Sequence, residues 1–134
     1  MFGTYQHSNL RIEVSASADE IKRGLTEISA LKQWLWPQKI KVSGPQASRE
    51  RLSEGQLFES QLLISQITHQ VELLSPQGIR LLLSGGIDGF HEWQWGDGWG
   101  QSRLDGISLL PLNLGQTASL SRLKYYLTAQ SSPK

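Results

Sequence analysis

The feature that most constrains this chain is a crowded run of short β-patterned segments, closed by a single long helical one. From Lys39 to Leu110, apolar and polar residues alternate between closely spaced turns. Six strands fit there: Lys39 to Val42, Leu57 to Ser65, Ile67 to Leu74, Ile79 to Leu83, Ile87 to Trp95 and Gln101 to Leu110. Ser75-Pro76-Gln77-Gly78, Gly85-Gly86 and Gly96-Asp97-Gly98 supply the turn chemistry between them, which predicts a meander of antiparallel hairpins. The polar stretch Ser43 to Gly55 reads as a loop. After Pro111, Leu120, Leu123, Tyr126 and Leu127 recur at helical spacing, with Ser119, Arg122 and Lys124 free to face water. Asn113 and Gln116 have the spacing of a capping box at its start, and Gln130 to Lys134 form a polar tail expected to fray.

Ahead of this run lies one more strand, in which Leu10, Ile12 and Val14 alternate with Asn9, Arg11 and Glu13. Ser17-Ala18-Asp19-Glu20 makes a second capping box. Ile21, Leu25 and Ile28, then Leu31, Trp34 and Leu35, describe two short helices stopped by Pro37. The expected class is α+β: a curved seven-stranded antiparallel sheet around a long C-terminal helix, with two short helices after the first strand. An antiparallel sheet must bury one face, and only the last helix is large enough to cover it. A strongly curved sheet closing on one helix leaves room between them.

Length and composition set the outer bounds. At 134 residues, with 38% hydrophobic and 19% charged, the chain fits one domain over 1–134 with one core. A net charge of +1 without a basic cluster points away from nucleic acid. With no cysteine, disulfides, thiol nucleophiles and thiolate metal sites are all excluded. No apolar run approaches the roughly 20 residues of a membrane helix, so no stable membrane insertion is expected. Met1 to Arg11 lacks the basic start and apolar core of a secretion signal, so a cytoplasmic protein, monomer or homodimer, is expected. No phosphate-binding loop, nucleophile elbow or His-Glu-x-x-His motif occurs, and no cofactor is implied.

Several stretches together resemble the helix-grip proteins of the START/Bet v 1-like superfamily, in particular the bacterial polyketide cyclase/dehydrase-like proteins. They are the opening strand running into Ser15-Ala16-Ser17-Ala18-Asp19-Glu20, then Leu31-Lys32-Gln33-Trp34, and Leu52-Ser53-Glu54-Gly55-Gln56-Leu57-Phe58. Gly89-Phe90-His91-Glu92-Trp93-Gln94-Trp95 and Leu120-Ser121-Arg122-Leu123-Lys124 complete the set. The resemblance implies a hollow for a lipid, isoprenoid, polyketide or similar apolar small molecule. It implies no catalytic set.

The residues expected to line that hollow are Trp34, Phe58, Leu62, His69, Val71, Leu81, Trp93, Trp95 and the helical stripe Leu120, Leu123, Tyr126, Leu127. Trp93 and Trp95 share a strand face with Ile87 and His91, as core filling or as cavity wall. Trp34 is a gate or a staple for its helix. His69 falls on the apolar face with Ile67, Val71 and Leu73, where it orients a ligand, moves a proton or makes a structural hydrogen bond. His91 raises the same alternatives. Two histidines without a third ligand argue against metal. Arg103 and Asp105 share a face with Ile107 and Leu109 unless Gly100 and Gly106 introduce a bulge, which is the expectation. His69, His91 and Arg103 are the candidates for chemistry. The leading reading is binding of an apolar molecule without strong catalysis. The alternatives are a cyclase, aromatase or dehydratase, and a protein-interaction module anchored by Trp36 or Trp99.

Overall fold

All seven strands join one antiparallel sheet, in the order β1-β7-β6-β5-β4-β3-β2. The structure, a computed structural model, describes residues 3–35, 39–42, 50–62 and 65–131, without the side chains of Lys39, Leu62 and Ser131. Trp36, Pro37, Leu63, Ile64 and the end of the polar tail lie outside the described residues. In chain order the elements are β1 (Thr4–Glu13), α1 (Ala18–Thr26), α2 (Ile28–Trp34), β2 (Lys39–Val42) and β3 (Leu57–Leu62). They continue with β4 (Ser65–Ser75), β5 (Gly78–Gly85), β6 (Asp88–Gly96), β7 (Trp99–Ser108) and α3 (Leu112–Ser131). This is the α+β helix-grip architecture expected from the order of patterned segments.

The first capping box forms as expected. Glu20 donates its backbone N–H to Ser17 Oγ, and Ser17 donates its own to Glu20 Oε1, both at 3.1 Å. One extended residue, Glu27, separates α1 from α2. Trp34 then reaches back and donates its indole N–H to Gly24 O at 2.7 Å, locking the two short helices together.

The second capping box does not form. α3 begins at Leu112, so Asn113 is already helical, and it donates its side-chain amide to Ser8 Oγ on β1 at 2.9 Å. Gln116 is buried against the sheet. The helix start is instead served from β1, where Gln6 Oε1 accepts the Leu112 N–H at 3.0 Å and Gln6 Nε2 donates to Leu110 O at 2.8 Å. This also explains why β1 runs further back than its apolar alternation. Ser8 is buried and Gln6 half-buried because they hold a helix, not because they are greasy. Arg122 and Ser119 differ from expectation as well. Arg122 donates to Trp34 O at 3.2 Å, and Ser119 is half-buried.

Two register details matter for the site. In β4 the pairing shifts between Val71 and Leu73, so Leu73 turns outward and Leu74 packs inward. The expected common face therefore ends at Val71. In β7 the expected bulge is absent, and pairing is unbroken from Trp99 to Ser108 with β1 and from Trp99 to Ile107 with β6. Gly106 sits opposite Gly89 at a close approach, where a Cβ on Gly89 would collide with the Asp105 carbonyl. These glycines let adjacent strands crowd together without an extra residue.

Candidate functional site: a hollow under the start of the last helix

A cavity of about 270 Å³ lies between the concave face of the sheet, α1–α2 and the beginning of α3. It exists because α3 changes character along its length. Its second half presents Leu120, Leu123 and Leu127, all buried. Its first half offers Gly115, Gln116 and Ser119 to the same side, and these line the cavity. Nothing lies within 4 Å of where a Cβ on Gly115 would sit. Small and polar residues therefore leave a gap where leucines would have filled one.

The walls are almost wholly apolar. Leu25, Leu31, Trp34 and Leu35 come from the short helices, and Leu52 from the loop after them. The sheet contributes Phe58, Ile67, His69, Ile79, Leu81, Leu83, His91, Trp93 and Leu104, and Ile87 joins from the β5–β6 turn. Leu110, Pro111 and Leu112 close the end beside α3. Trp34 and Trp93 meet edge to face, with ring centroids 6.2 Å apart and planes at 82°. Phe58 stacks on His69 with 4.5 Å between centroids, and His91 tilts against Trp93 at 4.9 Å.

The polar side chains of the wall are His69, His91, Gln116 and Ser119, and each histidine is paired with a serine behind it. Ser60 Oγ lies 2.8 Å from His69 Nε2, and Ser102 Oγ lies 2.6 Å from His91 Nε2. Both serines are essentially inaccessible, at 1% and 0% exposure, so they orient the rings and cannot reach a substrate as nucleophiles. Burial pushes the His69 pKa down to about 4. Burial, and secondarily the charge of His69, push that of His91 down to about 3. Both imidazoles are thus neutral at neutral pH and weak as bases. His69 Nδ1 and Gln116 Oε1 are buried in the wall without a hydrogen-bond partner among the described residues. No group of three or more His, Cys, Asp or Glu suited to a metal ion occurs among those residues.

Of the residues expected to line the hollow, Trp34, Phe58, His69, Leu81 and Trp93 do so. Val71, Trp95, Leu120, Leu123 and Leu127 are buried but packed in the filled part of the core, and half-buried Tyr126 packs against it. Trp95 donates its indole N–H to Pro76 O at 3.0 Å, which holds it at the sheet end. The side chain of Leu62 lies outside the description. Among the candidates for chemistry, His91 lines the hollow and Arg103 does not. With no bulge in β7, Arg103 and Asp105 point to the convex face. There Asp105 accepts from Tyr5 Oη at 3.0 Å and from Arg103 Nε at 3.1 Å, and pairs with His7. Burial pushes the Asp105 carboxyl up, but the hydrogen bonds from His7 and Tyr5 and the Arg103 charge outweigh it and hold it below the usual value. Trp99 is half-buried beneath the Arg11 guanidinium, 4.6 Å from its ring centre.

Pattern reading missed Ser60, Ser102, Leu104 and the Gly115-Gln116-Ser119 stretch. A period-two reading of Gly100, Ser102 and Leu104 carried forward from β6 would have reached the first strand partners. The helical residues carried no such signal, because small and polar side chains on a helix read as solvent-facing.

No protein family model matches the sequence, and no curated protein matches it. Solved structures do match, with low identity over nearly the whole chain. The Zhui aromatase/cyclase from Streptomyces sp. R1128 superposes with a TM-score of 0.72 at 15% identity, covering 96% of this chain and 97% of that one. The Aha1 dimer from Colwellia psychrerythraea gives 0.65 at 19% identity, covering 95% and 99%. DynU16, from the dynemicin biosynthetic locus, gives 0.66 at 15% identity, and there the match spans 92% of this chain but 48% of that one. At such identities the likeness is one of fold: this chain shares with these proteins the architecture of a sheet gripping a C-terminal helix.

Proposed function

We propose that the protein is a START/Bet v 1-like, polyketide cyclase/dehydrase-like binding protein that holds an apolar small molecule in this hollow without strong catalysis. The observation that carries the reading is a cavity of about 270 Å³ whose walls, among the described residues, include no acidic or basic side chain beyond the two neutral histidines. Such a space gains free energy by exchanging water for apolar surface, at about 25 cal/mol per Å² buried. Volume limits the occupant. A hollow of about 150 Å³ accommodates one benzene ring, so this one suits about two fused rings or an aliphatic body of that size. The same reading has the chain working as a single domain, monomer or homodimer, in the cytoplasm.

Native mass spectrometry of protein purified from its own host tests the proposal. A co-purifying neutral or lipid-like compound of about that size, released on denaturation, is the expected result. Protein that arrives empty and takes up no naphthalene on incubation would overturn it.

One observation favours a second reading, a cyclase or aromatase-type enzyme: two histidines stand on the cavity wall. Their depressed basicity weighs against proton abstraction near neutral pH. If His69→Ala and His91→Ala leave turnover of an identified substrate unchanged, the histidines are not its catalytic groups.

A further inference from the structure

We propose that His91 is held as a one-way hydrogen-bond donor to the cavity, and that the occupant is a neutral molecule of about two rings bearing a carbonyl acceptor. This rests on the binding reading above and narrows it.

The chain of reasoning starts on α3. Gln116 is 3% exposed, and its Nε2 lies 2.8 Å from Ser102 O and 3.3 Å from Ser8 O. Both neighbours are backbone carbonyls, which only accept. The amide must therefore present its NH₂ here, since the flipped orientation would set Oε1 against two oxygens. The same Nε2 lies 2.9 Å from Ser102 Oγ, sharing one of its two hydrogens there, and as a nitrogen without a lone pair to offer it cannot take the hydroxyl hydrogen. That hydrogen then has one acceptor within reach among the described residues, His91 Nε2 at 2.6 Å. Were the imidazole to donate from Nε2 instead, the hydroxyl hydrogen of a serine at 0% exposure would go unpaired. With Nε2 accepting, the neutral ring carries its hydrogen on Nδ1.

That Nδ1 has no partner among the described residues, and the ring stands in the cavity wall. A group fixed this way can give a hydrogen bond and cannot accept one at the same nitrogen. The complement is an acceptor such as a ketone, quinone, lactone or amide oxygen. An anion is disfavoured, because among the described residues no cationic side chain lines the hollow to offset its desolvation.

Two measurements test this. A long-range ¹⁵N–¹H spectrum of the unliganded protein reports the tautomer directly. Hydrogen on Nδ1 of His91 is expected, moving toward an equilibrium mixture in Ser102→Ala; hydrogen on Nε2 in the wild type overturns the proposal. Binding of three shape-matched probes, followed by tryptophan fluorescence, reads the ligand class. Acetylnaphthalene should bind within about threefold of ethylnaphthalene or tighter, because the donor compensates the buried carbonyl. Naphthoate should bind at least about tenfold more weakly at neutral pH. In His91→Phe the affinity of the ketone relative to that of ethylnaphthalene should fall about tenfold. A ketone that binds tenfold more weakly than ethylnaphthalene to the wild type overturns the donor assignment and leaves the binding reading standing. If neither neutral probe binds, the binding reading falls and this inference with it.

Discussion

The two halves of α3 cover the same concave sheet with opposite results. The second half lays Leu120, Leu123 and Leu127 onto the core, and Gly24 of α1 lets it come close, with Leu127 and Leu123 Cδ atoms about where a Cβ would touch. The first half puts Gly115, Gln116 and Ser119 over a mostly apolar stretch of the same sheet, and there the hollow remains. The sheet is continuous under both. What differs is side-chain volume on the helix, so the same fold is a packed core at one end and a vessel at the other. The polar groups follow this division: both half-buried histidines stand in the wall of the open end.

The comparison can be broken first by acid. In the unfolded chain both histidines take up a proton near the usual 6.5, whereas in the folded one His69 resists it to about 4 and His91 to about 3. Between those values the unfolded state binds more protons. Stability contributed by the neutral rings is complete above about pH 6.5 and lost as pH falls, at about 1.4 kcal/mol per pH unit for each. Urea unfolding should therefore show a loss of about 5 kcal/mol between pH 7 and pH 4.5, and His91→Phe should remove about half of the slope. Asp105 is depressed from its usual value of 3.8, so its contribution is lost only in more acidic solution. A flat profile from pH 7 to 4.5 would mean that the open end is wet enough to charge its histidines.

Cavity creation in the filled half comes next. Leu123 is 0% exposed, and Leu123→Ala should cost about 3–4 kcal/mol in denaturant unfolding. The reverse operation in the open half should be mild. Ser119→Leu places a larger side chain where space exists, and should change stability by under about 1.5 kcal/mol while weakening naphthalene uptake at least about tenfold. The smallest effect is Gly115→Ala, which meets no neighbouring atom and should raise stability by about 0.5–1 kcal/mol through helix propensity. A loss of stability there would place a packed neighbour over Gly115.

Most of the architecture was legible in the sequence, and the reasons are physical. Alternation at Leu10, Ile12 and Val14, the Ser17–Glu20 cap and the leucine stripe of α3 each report a local rule that local residues obey. The failures share a cause. Asn113 and Gln116 have capping spacing but bond to Ser8 and Ser102, 105 and 14 positions away respectively in the chain. Spacing along a helix cannot reveal a partner on a distant strand. Leu73 moved outward because a bulge after Val71 resets the face, and nothing in Val71-Glu72-Leu73 announces one. Arg103 and Asp105 share the face of Ile107 and Leu109, as unbroken alternation gives, but that face is the outer one, with Leu109 exposed and Ile107 half-buried. The site was half legible. Strand residues such as Phe58, Leu81 and Trp93 follow from period two, but the hollow itself follows from what α3 lacks. Small side chains at Gly115 and Ser119 look like surface until the sheet beneath them is known.

The central claim is that the first half of α3 leaves a ligand-sized space which the second half closes. Thermal unfolding with and without saturating naphthalene, in the wild type and in Gly115→Leu/Ser119→Leu, tests it most directly. A ligand that binds only the folded state raises the melting temperature by mass action, by about 2.7 kcal/mol in stability at a hundredfold excess over Kd. The account expects a clear upward shift in the wild type and almost none in the filled variant, which should itself melt no lower than the unliganded wild type. An equal shift in both proteins would contradict it.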